Sequence, residues 1–213
     1  MAFRPVFVPI GVKPYVSVHS TYLNWSGGFA VSQKRKNVAA LHEGFGRRFP
    51  GSKLLEISSA STIPEGGSLS AFHLQKFLPE LGKPVSVECI FQGGKIFTGG
   101  GPYTDLYAGT SMAAKKDPRL KNSGALKAFY YDGQHYPLFP RTAFYDWLYI
   151  NALIENPELA ACLKEYDGFT DIAFNLEKGI NCQAKSAALY VALERLGLLE
   201  ECREFDSFVK LVG

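Results

Sequence analysis

Between Val85 and Phe97 the chain reads VSVECIFQGGKIF, which sets an acid, an amide and an amine (Glu88, Gln92 and Lys95) among apolar residues. If the stretch is helical, the spacing i, i+3, i+4, i+7 puts Glu88, Phe91, Gln92 and Lys95 on one face. A carboxylate and an amine held together in apolar surroundings are groups for acid–base work. The same letters fit a strand. Val85, Val87, Cys89 and Phe91 alternate with Ser86, Glu88 and Ile90, Gln92-Gly93-Gly94 would turn a hairpin, and Lys95 would be exposed. Each glycine inside a helix costs about 0.8–1 kcal/mol, so the residues alone leave helix and hairpin open.

The elements that must hold this stretch follow from composition and pattern. The chain has 213 residues, 46% hydrophobic and 20% charged, which is ordinary for a globular protein of one large domain. Its 16 Phe and 11 Tyr can fill a core or stack on bases and ribose rings. A net charge of +3 is far from that of a nucleic-acid-binding tail and favours an anionic partner only weakly. Cys89, Cys162, Cys182 and Cys202 form no C-x-x-C pair, and the histidines at 19, 42, 73 and 135 have no metal-ligand spacing, so no metal is expected. The N-terminus lacks a secretory signal and no apolar run is long enough to span a bilayer, so a cytoplasmic protein with free thiols is expected.

In chain order, Phe3–Ile10, broken by Pro5 and Pro9, reads as an edge strand or extended arm. Ser32 caps a helix expected over 33–49, with Val38, Leu41, His42 and Phe45 facing inward. Its basic ends, with Lys34 and Arg35, suit a solvated face or a phosphate track. Short strands are expected at 53–58 and 69–74. The Gly99–Gly101 run lacks the G-K-[ST] ending of a P-loop, but lets backbone approach a ligand. A helix is expected within 102–116, ending at Asp117-Pro118, and a hairpin turns at Asp132-Gly133. The apolar run 142–155 is a central helix holding Asp146 and Asn151, which bond either neighbouring backbone or a ligand. A short helix follows Pro157, an ordered loop spans 166–181, and an amphipathic helix runs over 184–196 with Gly197 as its cap. The simplest account is one mainly helical α+β domain over 1–213, with a few short strands, a hairpin, and an N-terminal arm to about residue 28.

Glu88-x-x-Phe91-Gln92-x-x-Lys95 resembles the E-x-x-[FY]-Q-x-x-K helix of the NADAR (YbiA-like) family. FAVSQKRKNVAALHE (29–43), LLEISS (54–59), LSAF (69–72), GGPYTDL (100–106), PRTAFYDWLYINAL (140–153) and YDGFTDIAFN–KGINCQAKSAAL (166–189) resemble the branch paired with DarT-type DNA ADP-ribosyltransferase toxins. The resemblance implies a compact, mainly helical fold with an ADP-ribose cleft. It implies an antitoxin that removes ADP-ribose from guanine in DNA without a cofactor, and it favours the helix for 85–97. Its partners would be ADP-ribose, ADP-ribosylated guanine in DNA and a cognate DarT-type toxin.

Carried onto this chain, Glu88 becomes the general acid/base or cation stabiliser. Lys95 would protonate the leaving nitrogen, bind diphosphate, or attack the anomeric carbon to give an imine, and Gln92 would orient one of these groups. Ser70 and Phe72 stand where the family has a small polar–aromatic motif. Phe72 or Tyr103 would stack on adenine or ribose. Asp105, Trp147, Asn151, Asp171 and Asn181 are candidates for ribose or guanine contacts, with a core role equally open for Trp147. Arg4, Lys34 and Arg35 are candidate phosphate contacts. Gly93-Gly94 departs from the family pattern, so the helix must pack closely or loosen there. Two alternatives stand beside this reading: an N-glycosidase of amino-ribose intermediates in riboflavin synthesis, and a non-catalytic ADP-ribose binder or toxin neutraliser.

Overall fold

Alternation, turn pairs and apolar runs resolve into an α+β chain in which neither class dominates. Described in the computed structural model are residues 2–28, 30–177 and 179–213. Phe29 and Lys178, which fall inside two of the family-like segments, lie outside the described residues. In order the elements are β1 (Ala2–Pro9), β2 (Val16–Leu23), α1 (Val31–Arg48), β3 (Leu54–Glu56), α2 (Pro64–Ser68), β4 (Gln75–Leu78), β5 (Lys83–Ser86), α3 (Val87–Gly93), β6 (Lys95–Phe97), α4 (Ser111–Lys116), α5 (Arg119–Asn122), β7 (Leu126–Tyr131), β8 (Gln134–Tyr136), α6 (Ala143–Glu155), α7 (Pro157–Ala161), β9 (Gly168–Thr170), α8 (Gln183–Arg195) and α9 (Phe205–Val212). About 45% of the chain is helical and 20% strand, so the expectation of a mainly helical fold gives way to α+β.

Two compact units are present. The first gathers the chain through Ser70, Pro157–Glu201 and Val212. Its sheet has the order β2-β1-β9-β3. β1 is thus an internal strand rather than the edge strand or arm expected, and β2 takes the edge, pairing along its whole length from Ala2↔Leu23 to Pro9↔Val16. β9 joins β1 at Phe7↔Phe169 and runs parallel to β3. The helix expected at 33–49 is α1. Its Val38, Leu41 and Phe45 pack on Val6, Leu23 and Leu54, while Asn37, unforeseen, is buried and bonds Ser26 through both its amide atoms. α8 packs against β1 and β9, and Gly197 at φ +72° closes it as expected.

The second unit comprises Ala71–Asn156, Cys202–Leu211 and Gly213. It holds the β4–β5 pair and the sheet β6-β7-β8. Asp132 and Gly133 both take positive φ, the geometry of a two-residue hairpin turn, and join β7 to β8 as expected. α6 is buried over nearly its full length, as a helix apolar all round must be. Phe144 stacks on Phe129 at 4.5 Å between centroids, and Phe129 on Phe91 at 5.4 Å, tying α6, β7 and α3 into one aromatic core. Each fully buried side chain of this size is worth roughly 1.5–3 kcal/mol against exposure. The strand expected at 69–74 is absent: those residues are turns following α2, and β4 starts at Gln75.

Candidate functional site

The segment 85–97 is neither the single helix nor the hairpin that its letters allow. Val85 and Ser86 end β5, Val87–Gly93 form α3, Gly94 caps it, and Lys95 opens β6. The helix starts where it does because Ser86 Oγ accepts a bond from Cys89 N at 3.2 Å. It stops where it does because of packing. A Cβ on Gly93 would lie 2.6 Å from a ring carbon of Tyr107, and one on Gly94 would enter the Tyr130 carbonyl oxygen. Those close approaches let Tyr103 N bond Gly93 O and Tyr130 N bond Gly94 O, each at 2.7 Å, so β7 takes up the chain as β6 begins. The two glycines pack tightly, and they end the helix at Gly93, with Gly94 alone between it and the lysine.

Across this corner the three side chains meet in a line. Gln92 Nε2 donates to Glu88 Oε1 at 2.9 Å, and Lys95 Nζ donates to Gln92 Oε1 at 2.6 Å. Only this orientation of the amide turns its donor to the carboxylate and its acceptor to the amine. Glu88 and Gln92 are buried, Lys95 is half-buried, and its Nζ stands 4.6 Å over the Phe91 ring. Burial lowers the Lys95 pKa to about 8, with Lys115 adding to the drop and Glu88 opposing it. An amine so placed is both a stronger proton donor than an ordinary lysine and a more available nucleophile.

α4 brings a further amine that sequence reasoning missed. Lys115 Nζ lies 3.7 Å from Glu88 Oε1 and 4.8 Å over the Phe72 ring. Its place is fixed through hydroxyls: Ser111 Oγ donates to Phe72 O at 2.7 Å, so the 2.7 Å bond between Ser86 and Ser111 uses the Ser86 proton. The N-cap of α3 and the first residue of α4 are thereby joined to the backbone of Phe72. A Lys115-Lys116 pair ahead of Asp117-Pro118 carried no signal for this.

Other expected site residues in this unit have partners of their own. Tyr103 has Arg119 over its ring at 4.4 Å, Phe97 at 6.4 Å, and a hydroxyl bond to Ser123. Asp105 receives two bonds from Arg119, at 2.6 and 3.2 Å, which hold its pKa below the usual carboxylate value. Asp117 binds the other edge of the same guanidinium. Trp147 packs among Tyr131, Tyr136 and Phe205, and its indole N–H donates to Arg203 O. Asn151 Nδ2 donates to Trp147 O and Cys202 O at 3.0 and 2.8 Å. The indole donor of Trp147 and the amide donor of Asn151 thus go to backbone.

In the first unit Ser70 is buried, and Asp171 accepts from Ala173 N and from Gln183 Nε2, each at 3.0 Å. Asn181 Oδ1 is buried with no hydrogen-bond partner among the described residues. Arg4 donates to the Ile172 and Phe3 carbonyls and lies 4.5 Å over the Trp25 ring. A second polar cluster here was not foreseen. Glu56, fully buried, accepts from Ser58 Oγ and Thr170 Oγ1 at 2.6 Å and from Ile172 N at 2.9 Å. Thr170 spends its proton on Glu56, so His42 Nε2, 2.9 Å away, must donate to it. Burial and nearby Asp171 push the Glu56 carboxyl up to about 7, and burial pushes His42 down to about 4. The signal was available: a glutamate at the centre of the apolar run LLEIS.

Among the described residues no group of three or more His, Cys, Asp or Glu could hold a metal, and no helix is long and apolar enough to cross a membrane. The family model NADAR-DarT1, described as the DarT1-associated NADAR antitoxin, matches residues 2–213. No curated protein matches the chain.

Proposed function

This chain belongs to the family of DarT1-associated NADAR antitoxins, and we propose that it removes ADP-ribose from guanine bases in DNA by hydrolysing the N-glycosidic bond. The observation that carries the reading is the Gln92 bridge between Glu88 and an amine whose pKa is drawn down to about 8. The bond to be broken joins the anomeric carbon to the exocyclic guanine nitrogen. As it lengthens, positive charge grows on the sugar and negative charge on the nitrogen. The Glu88 carboxylate stabilises the cation-like sugar, and the Lys95 ammonium supplies the proton that the departing nitrogen needs. Water then adds to the anomeric carbon and its released proton returns to the Lys95 amine, leaving ADP-ribose and restored guanine. Gln92 keeps donor and acceptor in register throughout.

Neutral Lys95 offers a second route on the same geometry. Its nitrogen attacks the anomeric carbon and passes one of its protons to the departing guanine nitrogen, ring opening gives an imine, and water hydrolyses the imine to return the free amine and ADP-ribose. Either way the protein acts in the cytoplasm, on lesions left by a cognate DarT1-type toxin, without a cofactor.

The test uses an oligonucleotide carrying ADP-ribosylated guanine, with released ADP-ribose read by mass spectrometry. Wild-type protein is expected to release it, and Lys95→Met and Glu88→Gln to fall by about 10²-fold or more, the scale of general acid–base contributions. Borohydride trapping of a protein–ribose adduct selects the imine route. Wild-type rates in both variants would reject the acid–base roles of Glu88 and Lys95, and tight ADP-ribose binding with no release would reject the enzyme.

A further inference from the structure

The site contains a cation that the proposed chemistry does not use. Lys115 reaches Glu88 from α4, an element that contributes nothing to the acid–amide–amine line itself. Its side chain is about half exposed, yet its ammonium is held on two sides, by the Glu88 carboxylate at 3.7 Å and the face of Phe72 at 4.8 Å. A surface lysine with no task would extend into water, since ordering so flexible a side chain costs entropy. Here the helix that carries it is anchored beside α3 by the Ser86–Ser111–Phe72 hydroxyl chain.

We propose that Lys115 is a positioning residue of this site: its ammonium, seated on Phe72, holds Glu88 Oε1 toward Gln92 and conditions Lys95 for reaction. The inference rests on the assignment of Glu88 and Lys95 as the reacting pair. Its physical content is a division of labour between two amines. Glu88, shared by both, attracts a proton to Lys95, and Lys115 offsets that attraction by occupying the same carboxylate oxygen. The positive charge on Lys115 also opposes a second positive charge at Lys95, in the same direction as burial. The charged groups that act on Lys95 are thus Glu88 from α3 and Lys115 from α4. The seat on Phe72 has its own consequence. The face of that ring toward α4 is taken, so an adenine or ribose stacking on Phe72 meets the opposite face or displaces the ammonium.

The test reads Lys95 without substrate. The folded protein is labelled with trace acetic anhydride across a pH series, and acetylation of the Lys95 peptide is followed by mass spectrometry. Wild-type protein is expected to show a midpoint at about 8. In Lys115→Gln the midpoint rises by about half a unit or more, so that labelling of Lys95 at pH 7 falls about threefold or more. Lys115→Arg keeps the cation and restores the wild-type midpoint, and Lys116→Gln, one residue on and exposed, leaves it unmoved. Release of ADP-ribose by Lys115→Gln falls, with the limb of its pH profile that Lys95 sets (the alkaline limb on the acid–base route, the acid limb on the imine route) displaced in the same direction. An unchanged Lys95 midpoint in Lys115→Gln, or equal shifts in Lys115→Gln and Lys116→Gln, would overturn the proposal. If the midpoint moves while wild-type protein leaves the modified oligonucleotide intact, the coupling stands and the assigned reaction fails.

Discussion

Gly93→Ala sets two effects of known sign against each other. Alanine in place of glycine favours a helix by about 0.8–1 kcal/mol, so on α3 taken alone the substitution stabilises. In the fold the new methyl would lie 2.6 and 2.8 Å from two ring carbons of Tyr107 and 3.0 Å from the Tyr103 carbonyl oxygen. Carbon atoms rest at about 3.5–4.0 Å, so the ring must retreat by about 1 Å. It has little room to do so, being 3% exposed. The carbonyl belongs to the residue whose N–H bonds Gly93 O at 2.7 Å, so backing away weakens that bond. Overpacking of this kind costs about 1–3 kcal/mol, and a buried ring and a backbone atom as obstacles place it in the upper part of that range. The net expectation is a loss of about 1–2 kcal/mol, read as a lower urea midpoint with unchanged m-value. Tyr107→Leu removes the ring, so Gly93→Ala in that background should cost less by about 1 kcal/mol, a coupling that a double-mutant cycle reads directly. A midpoint that holds or rises in Gly93→Ala, or strict additivity with Tyr107→Leu, would refute the reasoning.

Two further expectations concern buried polar groups, two of which sequence reading missed and one of which it left open between backbone and ligand. In the native state Glu56 keeps its proton up to about 7 rather than 4.5, so the stability it contributes is present below pH 4.5 and is lost as pH rises toward 7. His42, drawn down from 6.5 to about 4, contributes stability above pH 6.5 that is lost as pH falls toward 4. Urea titrations of Glu56→Gln and His42→Gln should therefore differ from wild type with opposite pH slopes, each with a ceiling of about 3 kcal/mol at 1.36 kcal/mol per pKa unit. Parallel slopes in all three proteins would reject these burial effects. Asn151→Leu should cost about 1–3 kcal/mol, because the Cys202 carbonyl loses a buried donor, while ADP-ribose affinity, measured calorimetrically, stays within about twofold. A large affinity loss in a stable Asn151→Leu protein would return Asn151 to the ligand.

What the letters disclosed were features set by local chemistry. α1, α6 and α8 follow from apolar spacing, and the β7–β8 hairpin from Asp132-Gly133, whose backbone takes the left-handed conformation the turn requires. What they hid was decided by distant partners. The Glu88–Lys95 spacing satisfied two helical turns, but the Tyr107 ring and the Tyr130 carbonyl end α3 at Gly93 and pass Lys95 to a strand. Tyr103 and Asp105 were singled out by their place in a family-like segment, and nothing nearby in sequence announced Arg119, which contacts both. A helix apolar all round names no inner face, so Trp147 and Asn151 stood out by type while their partners, the carbonyls of Arg203 and Cys202, lay some fifty residues on. The three-residue β9 was too short for its alternation to register.

The hand-over from helix to strand at Gly94 changes what the spacing of the reactive groups means. Two side chains on one helix ride a single rigid cylinder, and their separation is set by its pitch. Here the acid is mounted on α3 and the amine on a sheet, and the distance between them is adjusted by how closely β7 is drawn onto Gly94. A redesign that shifted β7 would retune the amine without touching the acid. In a foreign scaffold, grafting the eight-residue letter pattern onto a continuous helix would reproduce its spacing and miss the site, whereas a helix, two residues without side chains and a docked strand would rebuild it.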